Sequence, residues 1–128
     1  MTVTVSWHDP EATISCVTFR GSVTFDEMMD AWTQEINLLR SKPYLVYSLN
    51  IFDNVPIAMK GLNLRRMRAF AQANTVPNLQ MTVQVSDSPV FRVALSSIMP
   101  KLPHEQHVVA TEAEAMQLIH DYRKHLSI

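Results

Sequence analysis

The chain has 128 residues, of which 47% are hydrophobic and 18% charged, with a formal net charge of -1. That length fits one domain able to bury its own core, and that balance excludes a disordered chain. The near-zero charge excludes the broadly basic footprint of a nucleic-acid-binding domain.

Residues 2–7, TVTVSW, alternate polar and apolar and predict a half-buried strand. His8-Asp9-Pro10-Glu11 is turn chemistry, and the β-branched run 12–20, ATISCVTFR, predicts a second strand that makes a hairpin with the first. Gly21 closes it. Thr24 with Glu27 three residues on forms a capping box. Phe25, Met28, Met29, Trp32, Ile36 and Leu39 then recur at helical spacing through residues 25–40. Ser41-Lys42-Pro43 ends that helix.

Residues 44–52, YLVYSLNIF, read as apolar on both faces, the pattern of a central strand covered on both sides. A turn with Gly61 follows, and residues 62–73 predict a second helix with Leu62, Met67, Phe70 and Ala71 inward. Residues 79–85, LQMTVQV, predict a fourth strand with Leu79, Met81, Val83 and Val85 on one face. Asp87 or Ser88 caps a third helix with Pro89 in its first turn. That helix carries Phe91, Val93, Ala94, Leu95 and Ile98, and Pro100 and Pro103 end it. Residues 106–110 predict a short last strand. Thr111 and Glu114 open a final helix with Ala115, Met116, Leu118, Ile119 and Tyr122 inward. The expected fold is therefore α/β, a single domain with a mixed open sheet of about five strands and four helices in the order β-β-α-β-α-β-α-β-α.

This order, with GSVTFDEMMDAW leading into the first helix, the Gly61-Leu62 pair after the central strand and the closing TEAEAMQLI, resembles the STAS domain. That family includes bacterial anti-sigma-factor antagonists, and its looser relatives are grouped with small ligand-pocket domains. In the antagonists the turn reads approximately Asp-Ser-Ser-Gly-Leu, and a kinase phosphorylates its serine. Matching on Gly-Leu places Ala58, Met59 and Lys60 over the acidic and hydroxyl positions. The resemblance therefore implies a regulatory domain whose phosphate switch, a gain of about two negative charges at a helix N-terminus, has no acceptor here.

The densest charge is the basic run Lys60, Arg65, Arg66 and Arg68, which reads either as a solvated outer face or as a site for an acidic partner. Asp53 and Asn54 end the central strand, where open α/β sheets bind ligands, although both residues are also common strand terminators. Together with Val55, Ile57 and Met59, these residues make the expected binding surface: Asp53, Asn54, Val55, Ile57, Met59, Lys60, Arg65 and Arg66, apolar groups beside basic ones.

Catalytic chemistry has little to build on. Cys16, the one cysteine, falls inside a strand, where a thiol is usually inert, and no nucleophile elbow occurs. His104-Glu105-Gln106-His107 lacks the i,i+4 spacing of a zinc helix. No cofactor or metal is expected. The N-terminal segment has no secretory pattern, and nowhere do about 18 apolar residues run together to span a membrane. A cytoplasmic, non-catalytic domain is expected, acting through a protein partner or as a homodimer. The alternative is a domain that binds a small molecule or lipid in an apolar pocket between sheet and helices.

Overall fold

The computed structural model describes residues 3–56, 58–99 and 102–126. The elements run in the expected order: β1 (Val3–Trp7), β2 (Ile14–Arg20), α1 (Phe25–Arg40), β3 (Val46–Asp53), α2 (Leu64–Ala73), β4 (Leu79–Val85), α3 (Pro89–Ile98), β5 (Glu105–Val109) and α4 (Glu112–Leu126). They build one mixed sheet in the strand order β1-β2-β3-β4-β5. β1 is antiparallel to β2, and each later pair of neighbours is parallel.

Local chemistry sets the ends of these elements. The Glu27 N–H donates to Thr24 Oγ1 (3.2 Å) and the Thr24 N–H to Glu27 Oε1 (2.9 Å), so both halves of the capping box form. Ser88 caps α3, with Pro89 in its first turn. β2 begins at Ile14, two residues later than its composition suggests, because the Asp9 carboxylate accepts the N–H groups of Thr13 and Ile14 and holds the turn. Burial pushes the Asp9 carboxyl upward, but hydrogen bonds from the Thr13 hydroxyl and from these N–H groups outweigh it and hold the group below its ordinary value. β3 begins at Val46, not at Tyr44. The Asn78 Nδ2 group donates to the carbonyls of Leu39, Lys42 and Tyr44 and keeps that stretch as a loop.

α2 begins at Leu64, because the Asn63 side chain caps it by accepting the Arg66 N–H at 3.0 Å. Leu62 therefore lies before the cap and is 38% exposed, not inward as its place in the pattern suggested. Val93 of α3 is likewise exposed. Pro100, expected to end α3, lies outside the described residues, and Met99 is the C-cap.

Three successive crossovers each step to the next strand in the same direction. With the usual common hand, they must place α1, α2 and α3 on one face of the sheet. One core lies there, joining Val17, Phe19 and Phe52 of the sheet to Met28, Met67, Phe91 and Leu95 of the three helices. α4 covers the other face, packing Ala115 and Ile119 against Tyr47, Leu49, Met81 and Val83. On the three-helix face, α1 lies along β1 and β2 while α3 lies along β5. α2 has no extended close approach to any strand. The middle of the sheet, β3 and β4, is left beneath a gap. Among the described residues, no helix is long and apolar enough to cross a membrane.

Candidate functional site

Side chains alternate between the two faces of a strand. In β3, Tyr47 and Leu49 face α4, which turns Ser48, Asn50 and Phe52 toward the three helices. In β4, Met81, Val83 and Val85 face α4 and Thr82 and Gln84 do not. The parallel registers put Ser15, Ser48, Thr82 and Gln106 in one row across four strands, with Asn50 beside Gln84 in the next. The three-helix face of the middle strands therefore carries a polar patch of Ser48, Asn50, Thr82 and Gln84, and is not apolar throughout as the pattern of residues 44–52 suggested.

One carboxylate meets this layer. Met28, Trp32, Glu35 and Leu39 are spaced by four, three and four residues, so Glu35 lies in the inward stripe of α1. It is 5% exposed. The hydroxyls of Ser15 and Ser48 both donate to its Oε2 at 2.6 Å. Asn50 Nδ2 donates to Ser48 Oγ at 3.1 Å, and Trp32 Nε1 donates to Asn50 Oδ1 at 3.1 Å. Burial pushes the Glu35 carboxyl up; the two serine hydrogen bonds pull it down and do not offset that. Both hydroxyls are on Oε2, which leaves Oε1 free of them.

Gln84 completes the layer differently. It is 6% exposed, and its Oε1 is buried with no hydrogen-bond partner among the described residues. Leaving a buried acceptor unpaired costs about 1–3 kcal/mol, and folded proteins tolerate few such groups. At the next strand edge, His104 Nε2 and Thr82 Oγ1 are 2.8 Å apart, and burial pushes the imidazole below its usual value.

Above the layer is a cavity of about 520 Å³. Ser48, Asn50, Thr82 and Gln84 line it from the sheet, while Trp32, Glu35 and Ile36 of α1, Met67 and Phe70 of α2, and Phe91, Leu95 and Ile98 of α3 line it from the helices. No lysine or arginine is among the described lining residues. Its size and its mostly apolar walls with a few convergent polar groups are those of small-molecule sites.

The surface expected from the sequence is only partly assembled. Asp53, Asn54, Lys60, Arg65 and Arg66 are exposed. Asp53 pairs with Arg20 at 3.6 Å, and Arg66 Nη1 donates to Asp26 Oδ1 at 2.6 Å. Solvated pairs of this kind contribute little to stability. Val55 is turned inward at 8% exposure and belongs to the three-helix core. Met59 is half-buried and lines the cavity. Ile57 lies outside the described residues. The apolar centre of a contact surface here is therefore lost at Val55, because Asn54 takes a left-handed conformation (φ 55°) that redirects the chain. Gly61 has φ 80°, as a turn that needs a glycine requires. The Lys60 carbonyl accepts the Phe25 N–H at 2.9 Å and ties the turn to the start of α1.

Cys16 is half-buried in β2, and burial pushes its thiol up, away from the reactive thiolate. His107 Nε2 lies 3.1 Å from Glu105 Oε2, and no group of three or more potential metal ligands occurs among the described residues. Glu35 and Gln84 were not among the expected site residues. Their signals are a carboxylate inside an apolar helical stripe and polar residues at every second position of two central strands. Comparison with family models, with curated proteins and with solved structures found no match.

Proposed function

We propose that this domain binds a small, largely apolar molecule in the cavity between the sheet and helices α1, α2 and α3. The observation that carries the reading is the Gln84 carboxamide, which lines the cavity with its oxygen buried and unpaired. A protein core normally closes over such a group with a partner, and voids larger than a water molecule are few in it. A bound molecule would fill the space and supply the missing hydrogen bond. The walls favour an apolar body, since burying apolar surface is worth roughly 25 cal/mol per Å² before the costs of association.

The role is binding and not catalysis. Glu35 is held by the hydroxyls of Ser15 and Ser48 on two strands and His104 by the Thr82 hydroxyl on a third, an arrangement suited to fixing a ligand. A STAS-like regulatory domain that contacts a protein partner through the turn after β3 is the second reading. The exposed Asp53, Lys60 and Arg65 favour it, and the half-buried Met59 supplies no hydroxyl there.

Ala94 of α3 is half-buried and lines the cavity, so Ala94→Phe places a ring inside it. The neutral fluorophore N-phenyl-1-naphthylamine is expected to bind the unaltered protein saturably at one molecule per chain. The variant is expected to bind at least about tenfold more weakly, the equivalent of one lost favourable contact of about 1.4 kcal/mol. Equal binding by a folded variant would place the probe elsewhere and remove the support for the cavity.

A further inference from the structure

We propose that the cavity selects a molecule whose polar end is an uncharged hydroxyl, as in an aliphatic alcohol, placed between Gln84 and Glu35. The proposal rests on the reading of the cavity as a ligand site and adds the chemistry of what enters it.

Four observations point to that head group. First, the Gln84 Oε1 acceptor is unpaired, and no group of the neighbouring strand bonds to it. Asn50, its register partner, gives one Nδ2 hydrogen to Ser48 and takes the Trp32 indole N–H on its oxygen, and it makes no hydrogen bond to Gln84. A ligand that carries a donor would pair it. Turning the carboxamide over would exchange an unpaired acceptor for an unpaired N–H. A hydroxyl satisfies either, because it both donates and accepts.

Second, Glu35 offers a further polar group. Its Oε2 is occupied by Ser15 and Ser48, which leaves Oε1 as the oxygen that can meet a ligand. A hydroxyl, which both donates and accepts, can bridge Glu35 Oε1 and the Gln84 carboxamide.

Third, the lining carries no lysine or arginine among its described residues, and burial disfavours the charged form of its one imidazole, His104, while Glu35 and Glu105 belong to it. A fatty carboxylate or a phosphate monoester would bring a charge into a mostly apolar space with no lysine or arginine to pair it. Fourth, an ammonium head supplies donors and no acceptor, and it too must be desolvated.

The test is displacement of N-phenyl-1-naphthylamine by four ten-carbon probes near neutral pH: decan-1-ol, decyl methyl ether, decanoate and decylammonium. Decan-1-ol is expected to bind at least about tenfold more tightly than the other three. Gln84→Leu is expected to weaken decan-1-ol by about tenfold, to the affinity of the ether, and to leave the ether unchanged. Glu35→Gln keeps a donor toward the cavity in its amide NH₂ and is expected to retain decan-1-ol binding, which Glu35→Leu loses. Two outcomes overturn the hydroxyl proposal but leave the cavity as a binding site. One is decanoate or decylammonium matching decan-1-ol; the other is Gln84→Leu leaving decan-1-ol unaffected. Failure of the fluorophore and of every ten-carbon probe to bind overturns both.

Discussion

Phe19→Ala lowers the free energy of unfolding by about 3–5 kcal/mol, the usual range for a buried phenylalanine truncated in a packed core. Phe19 is fully buried on β2. Its ring stacks on Phe52 at 4.9 Å between centroids and meets Trp32 edge-on at 6.4 Å. Phe52 continues the row to Phe91 at 5.2 Å. The row ties β2 and β3 to α1 and α3 beside the cavity, where the three helices must be held apart without collapsing. A domain has about 5–15 kcal/mol of net stability, so this one change consumes a large part of it. Phe91→Ala is expected to cost less, because that ring borders the cavity and already lacks neighbours on one side. Urea denaturation measures both. A cost below about 1 kcal/mol for Phe19→Ala, beneath the range for such truncations, would contradict the packing described here.

Glu35→Gln removes a loss of stability that the unaltered protein suffers as the pH rises. The unfolded chain releases this proton near the ordinary value of 4.5, whereas burial keeps it on the folded protein to higher pH. Above 4.5 the folded state therefore holds more protons than the unfolded state. Stability then falls by up to about 1.4 kcal/mol per pH unit until the pH passes the folded-state value. Below 4.5 both states are protonated and the contribution of the neutral acid is fully present. Glutamine carries no such proton, and its carbonyl can accept both serine hydroxyls. The difference in stability between the variant and the unaltered protein is expected to be constant below 4.5 and to grow in the variant's favour above it. Denaturation series at stepped pH measure that difference directly, because other titrating groups cancel from it. A difference that does not change with pH would show that Glu35 ionises as an exposed carboxylate does.

Much of the fold was legible because it is written in local signals. The helix 25–40 has both its boundaries in the sequence, a capping box at one end and Ser41-Lys42-Pro43 at the other. The strand 79–85 is delimited by alternation alone. The site was less legible, for physical reasons that differ by residue. Glu35 is inward only because Ser15 and Ser48, from two strands remote in sequence, converge on one of its oxygens. Without those partners, a carboxylate in a helical stripe belongs to the surface. Ser48 and Asn50 sit among so many apolar neighbours that β3 reads as apolar throughout. Its polar face emerges only when β4 sets Thr82 and Gln84 beside it. Val55 is drawn inward by the left-handed conformation of Asn54, which no periodicity records. The cavity itself comes from helix placement, with α1 over one edge, α3 over the other and α2 standing off the middle.

The central claim is that the space beneath α2 is a ligand site, and Trp32 is placed to report on it. The sequence has two tryptophans, Trp7 and Trp32, so in Trp7→Phe protein the emission comes from Trp32 alone. Its indole N–H is bonded to Asn50, and its ring lines the cavity. Titration of that protein with decan-1-ol is predicted to change the Trp32 emission saturably, at one alcohol per chain, and Ala94→Phe is predicted to shift the titration to at least about tenfold higher alcohol. An emission that decan-1-ol leaves unaltered, or a titration that Ala94→Phe does not shift, would contradict it.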